Sequence, residues 1–272
     1  DDISSLFGKV LVVVAHQDDE TACSVLLQRA SSAQVVFATD GAPASDSFWY
    51  RFGSRQQYAA VRHAEALQSL DVIGTTDPIF LEDPVRHSSF PDQELFRSLP
   101  PVLDVLTALA RRLKPDVLIA PAYEGGHPDH DACSFLVSIV GGALSIPRWE
   151  MPLYHRSPTG TLVHQEFRIP LGGEILLHPT HQELRRRDEM LSKYVSQPDV
   201  RNFVSSRVER FRPQPSYDYS QPPHTGTLNY EAWGWSMTGA ELCTAFQNCA
   251  ADLASPDDQD GGVGQYIDVI RD

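Results

Sequence analysis

The sequence predicts an α/β protein with a Rossmann-like fold, in which helices cover both faces of a mostly parallel sheet. Short apolar runs alternate with segments of helical periodicity over about the first 140 residues. Two of the runs, at 9–14 (KVLVVV) and 116–120 (DVLIA), are almost continuously apolar, which is typical of strands buried on both faces. Strands that alternate with helices in this way form parallel sheets, because each crossover needs a helix.

Each predicted element follows from a local pattern. The clearest helix is at 95–113, where leucine and valine recur every three or four residues. In chain order, the elements of the first half are a strand at 9–14, a helix at 21–30, a strand at 34–38, a helix at 55–70, a strand at 78–81, the helix at 95–113, a strand at 116–120 and a helix at 129–140.

The second half has weaker patterns. We predict strands at 163–169 and 175–177 and a charged surface helix at 183–194. From about residue 198 the chain is rich in proline, tyrosine and glycine, which predicts a loop-rich C-terminal segment, 198–272, that wraps the core. The whole chain, 1–272, is therefore expected to form a single domain.

Composition restricts the partners. The 272 residues include 22 Lys and Arg against 36 Asp and Glu, a net charge of −14, which disfavours nucleic acid and anionic membranes. This balance still leaves room for a local basic pocket that binds a small anionic ligand. No run approaches the roughly 18 apolar residues of a membrane span, and the N-terminus lacks a signal-peptide pattern. We therefore expect a cytoplasmic protein, and nothing indicates a homo-oligomer.

Two polar clusters follow two of the predicted strands. AHQDDE comes directly after the first strand, and YEGGHPDHD comes directly after DVLIA. In open α/β sheets, ligands bind beyond the carboxyl ends of strands at the point where strand order reverses. Helix capping explains the acidic residues of either cluster alone. A shared switch point would instead collect six side chains: His16, Asp18, Asp19, His127, Asp129 and His130.

Such a collection is suited to a metal ion. Two histidines and one carboxylate are a common set of three ligands that leaves a position open for water. His16-Gln17-Asp18, with a distant histidine, also satisfies the two-His-one-carboxylate triad of non-haem iron oxygenases. Those enzymes usually carry the triad on an all-β fold, whereas this motif ends a strand in an alternating pattern.

The two clusters resemble the signatures of a known family. AHQDDE looks like the AHPDDE motif of the PIG-L/LmbE-like deacetylases, and GGHPDHDA resembles their HPDH motif. Three further segments are similar to parts of that family: TDG (39–41), GSR with the helix after it, and LSKYVSQ (191–197). The resemblance implies a zinc-dependent hydrolase that removes an acyl group, usually acetyl, from an N-acetylglucosamine-like amide. An inactive sugar-binding protein of the same fold is the other alternative.

The resemblance also implies a role for each side chain. His16, Asp19 and His130 would bind one divalent ion, zinc or another metal, and Asp18 would be the general base. His127 would polarise the carbonyl or protonate the leaving nitrogen, and Asp129 would hold a histidine in its working tautomer. One departure is Gln17, which stands where the family usually has proline.

The expected substrate is a small amino-sugar conjugate. The residues predicted to contact it are Asp40, Arg55, Arg62 and Tyr123. Arginines on a helix surface are more often simply solvated, so this prediction depends on where the helix lies. Trp233 and Trp235 in the C-terminal segment form either a platform for a sugar ring or an aromatic contact that packs the segment onto the core.

Overall fold

The computed structural model describes residues 3–75, 77–204 and 206–254. The strands are β1 (Lys9–Val14), β2 (Ser32–Phe37), β3 (Ile79–Phe80), β4 (Glu82–Asp83), β5 (Ser88–Ser89), β6 (Val117–Pro121), β7 (Arg148–Met151), β8 (Tyr154–Arg156), β9 (Leu162–His164), β10 (Ile175–Leu177) and β11 (Glu209–Pro213). The α-helices are α1 (Ser24–Arg29), α2 (Arg55–Asp71), α3 (Leu99–Leu113), α4 (Pro128–Leu144), α5 (His181–Lys193), α6 (Val200–Phe203), α7 (Asn229–Ala232) and α8 (Gly239–Ala254).

The central sheet has seven strands in the order β10-β11-β7-β6-β1-β2-β3. β1 pairs in parallel with both β2 and β6, and β7 continues the parallel part beyond β6. β11 and β10 extend the sheet as antiparallel strands. The sequence prediction of a mostly parallel α/β sheet is confirmed. Because β1 and β6 are neighbours, the two polar loops that follow them lie side by side.

β1 shows why both faces of the sheet need helices. Five of its six residues are buried. Leu11 and Val13 pack into a core with α3, α4 and α8, whereas Val10, Val12 and Val14 pack into a second core with α1, α2 and α5. A continuous apolar run is thus used on both faces, as expected for a central parallel strand.

The C-terminal part differs most from the sequence prediction. The segment from about 198 onward, predicted to be rich in loops, contributes β11 to the central sheet and the sixteen-residue α8, which packs on α3 and α4. The strand predicted at 163–169 is limited to β9, which pairs with β8 outside the central sheet. Residues 255–272 lie outside the described residues, and the single domain stays a prediction. No helix in the described ranges is long and apolar enough to cross a membrane.

Candidate metal centre

The loop after β1 directs two adjacent carboxylates toward different partners. Asp18 has a backbone φ of 126°, a conformation that is sterically unfavourable for a residue with a Cβ. The turn is held by the Thr21 hydroxyl, which donates to the Asp18 carbonyl at 2.6 Å. The Asp19 carboxylate lies 3.5 Å from His16 Nδ1 and 3.3 Å from His130 Nε2, whereas the Asp18 carboxylate lies 3.5 Å from Arg62.

The loop after β6 is equally constrained. Pro128 begins α4, and His127 is its N-cap residue, whose Nδ1 accepts a hydrogen bond from the Asp129 amide at 3.1 Å. A Cβ at Gly126 would lie 1.9 Å from the Tyr154 carbonyl oxygen, so the chain passes here only with glycine. His127 and His130 are therefore fixed beside the loop after β1.

A third loop supplies an aspartate that the sequence analysis missed. Asp92 lies between β5 and α3, and its Oδ1 is 3.0 Å from His16 Nε2 and 3.4 Å from His127 Nε2. Asp129 holds this loop in place, because it accepts hydrogen bonds from the amides of Gln93 at 2.7 Å and Leu95 at 3.1 Å. Asp92 belongs to neither motif and follows no long strand, so no sequence signal marked it.

The residues present fit a divalent metal ion. Two groups of buried side chains have ligand atoms within 4.8 Å of one another: His16, His127 and His130, and His16, Asp92, His127 and Asp129. Two buried atoms of the cluster, Asp92 Oδ1 and His130 Nε2, lie at ion-pair distance from His16 and Asp19 but make no well-directed hydrogen bond within the described ranges. Such atoms are costly unless something binds them. Imidazole and carboxylate donors suit zinc and several other first-row metals, so the donor set does not select one.

The pKa values of the side chains in the cluster are shifted in different directions. Burial raises the pKa of Asp18 to about 6, although the Arg62 guanidinium opposes the rise. Burial also acts to raise the pKa of Asp92, but His16 and His127 outweigh it and hold that pKa well below its usual range. Burial, together with the positive charge of His16, lowers the pKa of His127 to about 4. His127 is thus neutral, with its proton on Nε2, since Nδ1 accepts the Asp129 amide.

The cluster lies at the base of a cavity of about 290 Å³. Most of the wall above it is aromatic or aliphatic, and its lining includes Phe48, Tyr58, Leu153, Tyr154, Phe203, Trp233 and Trp235. The ring of Trp235 lies 4.9 Å from the ring of His127, and Trp233 lies 5.1 Å from Trp235, measured between centroids. The two tryptophans therefore stand beside the candidate metal centre, not on a remote surface.

Only one of the four residues predicted to contact substrate lines this cavity. Arg62 does so, and it also donates a hydrogen bond to the Gln17 carbonyl. Arg55 instead pairs with Asp40 at 2.6 Å and braces the loop after β2, so neither residue lines the cavity. Tyr123 is buried in an aromatic cluster, where its hydroxyl donates to the Gln221 carbonyl at 2.8 Å. The structure thus places Asp40, Arg55 and Tyr123 outside the lining of this cavity, and their contact with substrate stays a prediction.

Gln17 has a structural explanation. Its side chain is 1% exposed, and Nε2 donates to the Thr39 carbonyl at 2.9 Å. The hydrogen bond joins the loop after β1 to the end of β2. Gln17 therefore fixes this loop by a tertiary contact at a position where the resembling family usually has a proline ring.

The fold and the site together define a doubly wound α/β protein with a buried histidine and aspartate cluster at its switch point. Residues 11–140 match the family model described as PIG-L, GlcNAc-PI de-N-acetylase. That region includes most of β1, all of β6 and every member of the cluster, so the part of the chain that forms the candidate metal centre is similar to the PIG-L family. No curated protein sequence matches the chain.

Solved structures with the same fold are distant in sequence. The A40926 pseudoaglycone deacetylase Dbv21 is 18% identical with a TM-score of 0.57, and the match covers 75% of this chain and 96% of that one. The zinc-inhibited form of teicoplanin deacetylase Orf2 is 16% identical with a TM-score of 0.57, over 77% and 98% of the two chains. GalB, a 4-carboxy-2-hydroxymuconate hydratase from Pseudomonas putida, is 14% identical with a TM-score of 0.54, over 81% and 99%. The fold therefore accommodates more than one reaction.

Proposed function

We propose that this protein is a zinc-dependent N-deacetylase that hydrolyses the acetamide of an N-acetylglucosamine-like sugar. The observation that carries the proposal is the buried, incompletely satisfied cluster of histidines and aspartates, with Asp18 beside it, at the base of the 290 Å³ cavity. The PIG-L match over 11–140 and the deacetylases among the structural matches support it.

His16, Asp19 and His130 would hold the metal. Asp19 contacts both histidines; His16 and Asp19 follow β1, and His130 lies in the first turn of α4. When bound, a divalent ion lowers the pKa of a water molecule and polarises an amide carbonyl. Asp92 and His127 also lie next to His16, so either would be available as a further metal ligand.

Asp18 would be the general base. Its pKa of about 6 leaves it ionised at neutral pH yet basic enough to accept a proton from the attacking water. The contact with Arg62 holds the carboxylate on the cavity side of the turn. His127, neutral with its proton on Nε2, would donate to the oxyanion or to the departing nitrogen. Each proton transfer then has an assigned atom.

The aromatic wall would hold the sugar. Trp233 is 40% exposed beside the cavity, and flat indole rings pack against the apolar face of a pyranose. Arg62 also lines this cavity and would provide a guanidinium for a sugar hydroxyl. The platform alternative of the sequence analysis is preferred here, because both tryptophans line the cavity.

The competing functions are less well supported. An iron oxygenase would need Asp18 as a ligand, whereas Asp18 faces Arg62 and Asp19 contacts His16 and His130. A sugar-binding protein without activity would not need a carboxylate such as Asp18 beside the metal ligands. A hydratase shares the fold but is favoured by no feature of this cavity.

The test combines an activity panel with two aspartate variants. Zinc-loaded protein is incubated with N-acetylglucosamine and its glycosides, and the released amine is measured. Asp18→Asn should lower kcat by about 10²- to 10⁴-fold and keep one bound metal, because only proton transfer is lost. Asp19→Asn should lose the metal itself. Asp71→Asn, at the exposed end of α2, is the matched control.

Three outcomes would contradict the proposal. They are full activity in Asp18→Asn, normal metal content in Asp19→Asn, and no amine released from any N-acetyl sugar by the zinc-loaded protein.

A further inference from the structure

A second cavity, of about 420 Å³, lies against α5 and α6. Its polar lining consists of Arg185, Arg187, Arg201, Arg207, His181 and one carboxylate, Asp188. Four guanidinium groups against one carboxylate are unusual in a chain whose net charge is −14. The site is therefore a concentrated positive region in an acidic protein, which raises the local concentration of anions.

None of the four arginines forms an ion pair with a carboxylate of the described residues. The ion pairs of lysine and arginine found there involve other residues. Arg201 donates only to the backbone carbonyl of Asp188, at 3.2 Å. The side chains of Arg185 and Arg207 make no hydrogen bond to any described residue. Their positive charges are thus available to a ligand.

Arg187 is the most constrained member. Its side chain is only 4% exposed, its Nη1 donates to the Ser206 carbonyl at 2.7 Å, and its Nε has no partner among the described residues. The charge of Arg187 acts on Glu209, but the oxygens of that carboxylate already accept hydrogen bonds from Ser24, Val25 and Leu26. A buried guanidinium with an unused donor is costly unless an anion binds it.

We propose that this cavity binds a phosphate or sulfate group. Guanidinium groups are suited to tetrahedral oxyanions, because each presents paired N–H donors to two oxygens. Four of them converging on one cavity, one held rigidly by burial, provide more donors than a carboxylate ligand can use.

The cavity of the proposed anion site lies next to the cavity of the candidate metal centre. Val204 lines both cavities, and in the short helix α6 Val200 and Phe203 face the first cavity whereas Arg201 faces the second. α6 and Val204 thus stand between the two cavities, and a substrate long enough to pass α6 would place a phosphate or sulfate group here while its amide lies at the metal; this arm rests on the proposed deacetylase function. A free anion is the other source of the same chemistry.

Binding is tested first without any substrate. Isothermal titration calorimetry of the full chain with inorganic pyrophosphate and phosphate at low ionic strength should give one site with a Kd below about 1 mM. The double variant Arg185→Gln/Arg207→Gln removes two exposed members and spares the buried Arg187. It should weaken binding at least about tenfold, since two charge-assisted contacts are lost.

The matched control removes the same charge elsewhere. Arg186→Gln/Arg111→Gln changes two exposed arginines, one of them next to Arg185 on α5, and neither lines the cavity. Its Kd should stay within about twofold of that of the unmodified protein. An equal loss in both double variants, or no binding of either anion by the unmodified protein, would overturn the proposal.

A kinetic comparison then separates the two sources. If the anion is part of the substrate, kcat/KM should be higher for an N-acetyl amino sugar with a phosphate or sulfate ester than for the same sugar without it. Arg185→Gln/Arg207→Gln should remove that preference through KM. If the anion is free, the variant should lower pyrophosphate binding and leave the preference unchanged. Because calorimetry needs no turnover, the anion site and the deacetylase proposal can fail separately.

Discussion

Gln17 shows how a single residue can fix the loop after β1 through a distant contact. Its Nε2 hydrogen bond to Thr39 joins the carboxyl ends of β1 and β2, and its carbonyl accepts from Arg62, which also faces Asp18. The space beside it is occupied by Gly41, which has a φ of 66° and no side chain. A Cβ at Gly41 would lie 2.2 Å from Gln17 Oε1. The two residues are therefore interdependent.

This interdependence predicts a non-additive pair of substitutions. Gly41→Ala should lower the free energy of unfolding by about 1–3 kcal/mol, because the new methyl group displaces Gln17 and the positive φ is strained for alanine. In the Gln17→Ala background the contact with Gln17 Oε1 disappears, whereas the strain and the 3.2 Å approach to Arg62 remain, so the penalty of Gly41→Ala should be smaller. Urea denaturation of the four proteins measures the difference. Equal penalties in both backgrounds would show that the two side chains do not interact.

At the residue scale, the sequence predicted those members of the cluster that follow a predicted strand within a few residues along the chain. His16, Asp18, Asp19, His127, Asp129 and His130 directly follow β1 or β6, and the structure brings them together as predicted, although their individual roles remain proposals. Asp92 comes from a loop whose path depends on Asp129, a tertiary contact without a local signature. Tyr123 follows β6 too, but its side chain turns into an aromatic cluster.

At the element scale, the eight elements predicted for the first half lie close to their predicted bounds, whereas the central strand β7 was not predicted, and neither was β11. Its sequence, ERFRP, is charged and ends in proline, which is typical of a loop. The buried charges are satisfied by distant elements: Arg212 Nε donates to Glu150 on β7 at 2.7 Å, and Glu209 accepts from the first turn of α1. This strand is stabilised by contacts with residues that are distant in the sequence, and a local sequence pattern does not show such contacts.

Glu209 also replaces the missing N-cap of α1. The residue before the helix, Cys23, makes no side-chain cap, and Glu209 accepts hydrogen bonds from the amides of Val25 at 2.7 Å and Leu26 at 3.0 Å. Glu209→Gln should therefore lower the free energy of unfolding by about 1–3 kcal/mol, because an amide nitrogen then faces an N–H donor. Chemical denaturation followed by circular dichroism measures the loss.

The control for this prediction is Glu166→Gln. The Glu166 carboxylate lies 4.0 Å from the guanidinium of Arg210, which is the residue after Glu209 on β11, and the Glu166 side chain is 65% exposed. Exposed ion pairs contribute little, so its removal should change stability by less than about 0.5 kcal/mol. A loss in Glu166→Gln as large as that in Glu209→Gln would contradict the capping role.

For the whole molecule, the balance of buried carboxyl groups predicts how stability depends on pH. Burial raises the pKa of Glu20, Glu150 and Glu209 from the usual 4.5 to about 7 each. The folded state therefore binds these three protons more tightly than the unfolded chain, which lowers stability as the pH rises from about 4.5 to about 7. His127 and His224, whose pKa values are lowered from 6.5 to about 4, act in the opposite direction, but these two groups do not outweigh the three carboxyl groups. Asp19 and Asp92 have lowered pKa values, so their contribution is lost only when the pH falls below about 4.

The metal-free protein should therefore be more stable at about pH 5.5 than at about pH 7.5, by at least about 1 kcal/mol in the free energy of unfolding. Urea titrations in the presence of a chelator measure this difference. Glu209→Gln removes one of the three groups, so its stability should change less over the same interval, whereas Glu166→Gln should follow the unmodified protein. Stability that stays constant or rises between these pH values would mean that the three carboxyl groups are ionised when buried, with their hydrogen bonds outweighing desolvation.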